Sequence, residues 1–272
     1  MTAPLPADGV AVVTGASGGV GRSVAAALAA DGWRVALVGR RPDALATVVE
    51  SIGDQARAFP ADVTAIADVA RLRDEVTSWA GAPVVLVNAA GVFGPLQTIA
   101  DADPAAWLEA IHVNLAGTFL TCNALVPAMI AAGYGRILNV TSAASLHTPG
   151  ALGSAYATSK AGVNQLTRHL AASLAGTGVT ANVFHPGDVK TEMWASIRDD
   201  AAAMGEEGAP FTAWVEWVAA NGGDPPEKAA RLVLDVVRGD GTTNGAFLWL
   251  DDPLQPPIPS WEVAALERPW QD

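Results

Sequence analysis

From Gly9 to Leu250 the chain alternates short, nearly continuous apolar runs with longer stretches of helical character, and this alternation limits the fold more than any other feature. It predicts strands at Gly9–Val13, Arg34–Val38, Ala56–Pro60, Val84–Asn88, Arg136–Val140, Val179–Phe184 and Ala246–Leu250. Helices are expected at Arg22–Ala30, Pro42–Ser51, Ile66–Ala80, from Asp103-Pro104 towards Ala132, and at Ser154–Leu174. A further helix would open on a capping box at Asp224-Pro-Pro-Glu227 and run to Arg238. Strands separated by ten or more helical residues cannot close as hairpins, so they form βαβ units and a parallel sheet. Without repeats or a linker, residues 1–272 read as one domain. Within it, the weakly patterned segment 192–223 suggests a lid, and the tail 251–272, with five prolines and two tryptophans, suggests a segment ordered by docking.

Ligands of a parallel sheet gather at the C-terminal ends of its strands. There the first strand runs into Thr14-Gly-Ala-Ser-Gly-Gly-Val-Gly21 just before a helix, the arrangement that cradles a pyrophosphate. Gly15, Ser17, Gly19, Val20 and Gly21 are its contact candidates. The second strand ends in Gly39-Arg40-Arg41, where a dinucleotide fold faces the adenosine ribose. Two guanidiniums suit a 2′-phosphate, so NADP(H) is expected over NAD(H), with NAD(H) possible. Asp62-Val63 and Asn88, with Gly91 three residues on, end the third and fourth strands at the same rim. Asn114 interrupts the apolar run Ile111–Leu125, as a core amide or a helix break would.

Tyr156 and Lys160 lie one helical turn apart, and Ser142 stands fourteen residues ahead of the tyrosine. A free phenol titrates near 10. A fixed ammonium about 4 Å away would favour its ionised form by on the order of 4 kcal/mol at an effective dielectric of roughly 20, bringing it towards the range of a catalytic acid or base.

Thr14-Gly15-x-x-x-Gly19-x-Gly21, Asn88-Ala-Ala-Gly91, Asn114, Ser142, Tyr156-x-x-x-Lys160 and Pro186-Gly187-x-Val189-x-Thr191 together resemble the short-chain dehydrogenase/reductase family. Gly18 also makes the first motif fit the extended branch. The short C-terminal region and the Pro-Gly-x-Val-x-Thr motif favour the classical branch. The resemblance implies a doubly wound Rossmann-type α/β fold, seven parallel strands with helices on both faces. It implies that Tyr156 is the general acid/base, that Lys160 lowers its pKa and binds the nicotinamide ribose, and that Ser142 holds the substrate oxygen. Asn114 would hold a relay water, while Thr191 and the backbone near Pro186, Gly187 and Val189 fix the carboxamide and phosphates. Two departures stand out. Relatives with the NADP-type signature often carry a basic residue where Gly18 stands, and the Ser142–Tyr156 interval is a residue long, to be absorbed by the loop Ser145–Gly153.

The expected activity is NAD(P)-dependent interconversion of a secondary alcohol and a ketone. The alternatives are a dinucleotide-sensing protein, and an epimerase or dehydratase of the extended branch. Phe93, Leu146, His147 and Trp194, on loops or the lid at the catalytic rim, are the substrate-pocket candidates. Six of nine tryptophans lie beyond residue 190, so a bulky, uncharged, apolar substrate is expected.

A net charge of −12 without a Lys/Arg run disfavours nucleic acid and anionic membranes. No window of eighteen apolar residues and no signal-like N-terminus is seen, so a cytoplasmic protein is expected. The single cysteine, Cys122, reads as core filler, and the four scattered histidines suggest no metal site. Self-association as a homodimer or homotetramer is expected from the resemblance alone.

Overall fold

The computed structural model describes residues 9–147 and 149–258; residues 1–8, Thr148 and 259–272, including Trp261 and Trp270 of the tail, lie outside them. Seven parallel strands form one sheet: β1 (Val10–Thr14), β2 (Arg34–Gly39), β3 (Ala56–Pro60), β4 (Pro83–Asn88), β5 (Gly135–Val140), β6 (Val179–Phe184) and β7 (Phe247–Leu248). Their order is β3-β2-β1-β4-β5-β6-β7, so the winding reverses between β1 and β4. A crevice for a ligand opens at such a reversal.

Alternate β1 residues serve opposite faces. Ala11 and Val13 join one core with Val24 and Leu28 of α1 (Gly19–Ala30) and Val233 of α9 (Pro226–Arg238). Val10 and Val12 join the other with Leu72 and Val76 of α3 (Ile66–Ala80) and Leu125 and Met129 of α5 (Gly117–Ala132). With both faces covered, the central strands must be apolar throughout, which is why they read as unbroken runs. Each fully buried valine or leucine contributes about 1.5–3 kcal/mol. Cys122 is core filler, as expected: it is buried, and burial pushes its thiol up to about 12.

Between β2 and β3 runs α2 (Pro42–Ile52). After β4, α4 (Pro104–Ile111) starts at Asp103, whose carboxylate caps the Ala105 amide. It continues through a π-turn (His112–Ala116) into α5. By length and mean hydropathy Pro104–Ala132 could cross a membrane, although Asn114, Thr118 and Thr121 interrupt it; here it packs against α3, α6 (Ser154–Ser173), β4 and β5.

Two expectations are corrected, the Asp224 cap and the length of the seventh strand, and the segment read as a lid gains defined elements. Segment 192–223 is largely helical, as α7 (Glu192–Ala203) and α8 (Ala209–Ala220) joined by a short 3₁₀ turn. These helices bury only Ile197, Ala201, Val215 and Val218, too few to print a clear periodicity. Asp224 does not cap α9: the N-cap is Pro225, without a side-chain bond, because the Asp224 carboxylate is engaged by the Asp188 and Leu254 amides. The seventh strand shrinks from Ala246–Leu250 to Phe247–Leu248.

Candidate active site

A cleft of about 1300 Å³ opens at the β1/β4 reversal. Its floor is the glycine turn. Gly15 is left-handed (φ 66°), and a Cβ there would stand 2.6 Å from the Ala89 carbonyl oxygen. A Cβ on Gly21 would stand 2.5 Å from the Gly15 carbonyl oxygen. These glycines let the turn press against the end of β4 and let α1 press against the turn. Among the described residues no side chain caps α1, whose N-terminus faces the cleft with its dipole and amides. Ser17, Gly19 and Val20 line the same cradle, so the residues present fit a pyrophosphate.

Arg40, Arg41, Asp62, Val63 and Gly91 also line the cleft. Arg41 is 3.3 Å from Glu192 and Arg40 is 3.9 Å from Glu109, both as exposed pairs. Exposed ion pairs contribute about 0–1 kcal/mol, so an arriving anion can displace these carboxylates. Asp62 accepts from both the amide and the hydroxyl of Thr64. On the far side, Pro186, Gly187, Val189 and Thr191 complete the wall, and Thr191 caps α7 by accepting from the Trp194 amide.

Ser142, Tyr156 and Lys160 converge in the cleft. Tyr156 stacks on Phe93 with ring centroids 4.9 Å apart, and Ser142 lies close enough to its phenol to favour the ionised form. A 3₁₀ turn (Ala143–Ser145) takes up part of the long Ser142–Tyr156 interval. The expected lowering of the tyrosine pKa is not seen: burial pushes the phenol up to about 12, against the opposing pull of Ser142. Lys160 Nζ lies 5.6 Å from the ring centroid and donates to the Val140 carbonyl at 2.8 Å. Burial also pulls its ammonium down to about 8. Desolvation acts on both groups and outweighs the attraction assumed from spacing alone.

Three candidates lie elsewhere. The Asn88 amide turns into the protein, donating to Asn139 (2.9 Å) and accepting from Thr121 (2.8 Å). Asn114 sits in the π-turn, and its amide clamps the Val92 peptide, accepting from its N–H and donating to its C=O at 2.8 Å each. It also donates to Ser159, next to Lys160, at 2.9 Å. It is thus a satisfied core amide, in a helix that widens to a π-turn there without breaking. Leu146 packs on Val163, Val183 and Phe247 and leaves the cleft to its exposed neighbour His147. Sequence reasoning missed Phe211, Asp188 and Gln255, which line the cleft beside Phe93, Trp194 and Trp214, a tryptophan of the segment read as a lid. The tryptophan surplus beyond residue 190 was the one available signal.

His185, at the end of β6, is buried beneath the cleft and accepts from the Ala143 amide at 3.4 Å. Burial pulls its pKa down from 6.5 to about 4. Because the folded value lies below the unfolded one, the unfolded chain takes up the proton first. Stability should therefore fall as pH drops from about 6.5 through about 4, by on the order of 3 kcal/mol in total. Urea melts of wild type and His185→Gln across this range check the effect: the variant should lose less stability on acidification, and equal losses would remove His185 as the cause.

The sequence profile described as short chain dehydrogenase matches residues 9–202. Galactitol 2-dehydrogenase (L-tagatose-forming) of Cereibacter sphaeroides is 35% identical over 89% of this chain and 92% of that protein. Acetoacetyl-CoA reductase of Allochromatium vinosum is 35% identical over 88% and 95%. Among solved structures, a single-residue variant of actinorhodin polyketide ketoreductase with NADPH superposes with a TM-score of 0.82 at 29% identity, covering 89% of this chain and 95% of that one. The fold, the glycine cradle and the Ser142–Tyr156–Lys160 cluster agree with this match, and the chain belongs to the short-chain dehydrogenase family, as an oxidoreductase acting between CH–OH and C=O.

Proposed function

We propose that the protein is an NADP(H)-dependent carbonyl reductase for bulky, uncharged ketones, able to run in reverse on the secondary alcohols. The observation that carries this reading is the half-buried phenol of Tyr156, gathered with Ser142 and Lys160 inside the glycine-floored cleft. A phenol at about 12 keeps its proton at neutral pH, which suits it to protonate a carbonyl oxygen. Ser142 donates to that same oxygen and stabilises charge developing there. Lys160 supplies positive charge beside both. The bound nicotinamide dinucleotide, when present, supplies or takes up the hydride.

The preference for the 2′-phosphate rests on Arg40 and Arg41 at the end of β2, and an NADPH-bearing structural relative supports it. Arg40→Asp should reverse the preference for NADPH over NADH, because a carboxylate repels the phosphate and accepts from a ribose hydroxyl. Kd values for both cofactors at physiological salt check this; wild-type protein binding NADH as tightly as NADPH would overturn it.

The substrate class rests on Phe93, Phe211, Met193, Trp194, Ile197 and Trp214 around the open half of the cleft. Arg198, the one arginine of α7 and α8, lies against the Trp194 ring and pairs with Asp199 instead of lining the cleft. A panel of matched hydrophobic ketones and charged oxo-acids, each with NADPH and NADH and followed at the nicotinamide absorbance band, tests the whole reading. Equal or better kcat/KM for the oxo-acids would remove the substrate class.

A further inference from the structure

The loop after β6 carries Asp188, buried at 7% exposure yet lining the cleft. Its two carboxylate oxygens face two different segments. Oδ1 accepts from the Trp214 indole of α8 at 3.2 Å, and Oδ2 accepts from the Gln255 carboxamide of the C-terminal segment at 2.7 Å. Both partners line the same cleft. A second buried carboxylate, Asp224, braces the site from behind: it accepts from the Asp188 amide at 3.1 Å and returns its own amide to the Asp188 carbonyl at 3.0 Å. Asp224 also holds the Leu254 amide (3.1 Å) and pairs with Lys228 (3.2 Å). Lys228 donates in turn to the Asp252 carbonyl. Gly187 must be a glycine here, since it is left-handed (φ 83°) and a Cβ would meet Asp224 Oδ2 at 2.6 Å.

α8 and the segment 251–258 share no strand pairing, and among the described residues Asp188 is the one group that bonds to a cleft-lining side chain of each. We propose that Asp188 is the specificity-determining positioning residue of this enzyme: its carboxylate fixes Trp214 and Gln255 as one wall of the substrate half of the cleft and thereby sets the size of ketone accepted. The proposal rests on the carbonyl-reductase reading above. Asp188 is remote in role from Tyr156 and transfers no proton itself.

The carboxylate is required only as a double acceptor, and this dictates the test. In Asp188→Asn the Gln255 amide can turn over and accept from the new amide while Trp214 keeps its acceptor, so this variant should raise KM less than Gln255→Glu does. Gln255→Glu places a second carboxylate against the first, and at a pH high enough to ionise both, where the assays are run, like charges at that distance repel. The expected result is a rise of at least about fivefold in KM for compact ketones, with kcat within about threefold and cofactor Kd unchanged. Discrimination between compact and bulky ketones should fall at least about fivefold. Combining the two changes restores a donor–acceptor pair, and Asp188→Asn/Gln255→Glu should return both measures to within about twofold of wild type.

Hydrogen–deuterium exchange supplies a reading that needs no substrate. Peptides covering Leu254 and α8 should exchange faster in Gln255→Glu and recover in the double variant. A Gln255→Glu enzyme kinetically indistinguishable from wild type, or a double variant that fails to recover, overturns the proposal. Wild-type protein without turnover on any ketone or alcohol would instead overturn the functional reading beneath it, whatever the exchange pattern.

Discussion

Tyr156→Phe is expected to lower turnover at least about 10²-fold, on the order of 2.7 kcal/mol in activation free energy, while leaving the fold and the affinity for the dinucleotide nearly unchanged. The substitution removes one hydroxyl and little else. The ring remains, and with it the stack on Phe93 at 4.9 Å. Ser142 still accepts from the Ala144 amide at 3.2 Å. Lys160 keeps its bond to the Val140 carbonyl. Only the proton that would pass to the carbonyl oxygen is gone. Single-turnover and steady-state kcat, with cofactor Kd from fluorescence and a thermal melt, measure the three quantities separately. A folded phenylalanine variant with near-wild-type turnover would remove Tyr156 from the chemistry.

Gly21→Ala should have the largest effect on the cradle. The added carbon would lie 2.5 Å from the Gly15 oxygen, 2.8 Å from its carbonyl carbon and 3.2 Å from the Thr14 oxygen. All three are backbone atoms, so no side chain can swing aside. Either α1 tilts away or the turn shifts off β4, and overpacking of this kind costs about 1–3 kcal/mol. We expect a fall of several degrees in Tm, on the scale of about 2–4 °C per kcal/mol for a domain near this size. Dinucleotide affinity should drop at least about tenfold, because the amides of the cradle no longer converge. Gly18→Ala is the internal control for stability: among the described residues no neighbour lies within 4 Å of a Cβ there, so Tm should hold. An alanine at 21 that changes neither Tm nor affinity would show that this close approach is not needed.

The strands were legible because the sheet is covered on both faces, which leaves β1, β2 and β4 little choice but to be almost wholly apolar. The glycine cradle was legible for a related reason: backbone-on-backbone contact excludes every side chain at Gly15 and Gly21. What failed to show was direction. A polar residue at a strand end can turn towards the cleft, as Ser142 does, or into the protein, as Asn88 does towards Asn139 and Thr121. The sequence position is the same in kind for both. The tyrosine pKa was misjudged for a different cause, since spacing reports an ammonium's position and not the dryness around it. Asp224 looked like a helix cap because Asp-Pro-Pro-Glu has the composition of one, while its partners, the Asp188 and Leu254 amides, come from distant segments. Contacts between residues far apart in the chain leave no local pattern.

The strand order carries a consequence for how the chain is made. Reading β3-β2-β1-β4-β5-β6-β7 in the order of synthesis, β2 adds beside β1 and β3 beside β2; then β4 takes the free side of β1, and β5, β6 and β7 each join the edge left by their predecessor. No strand has to be threaded between two that are already paired. As the chain leaves the ribosome, every new strand meets an open edge, and only one step, the return of β4 to β1 where Val10 meets Pro83, must reach back past elements already formed. Growth can therefore be vectorial after that single step, with the β1–β4 junction acting as the seam from which the second half of the sheet is laid down.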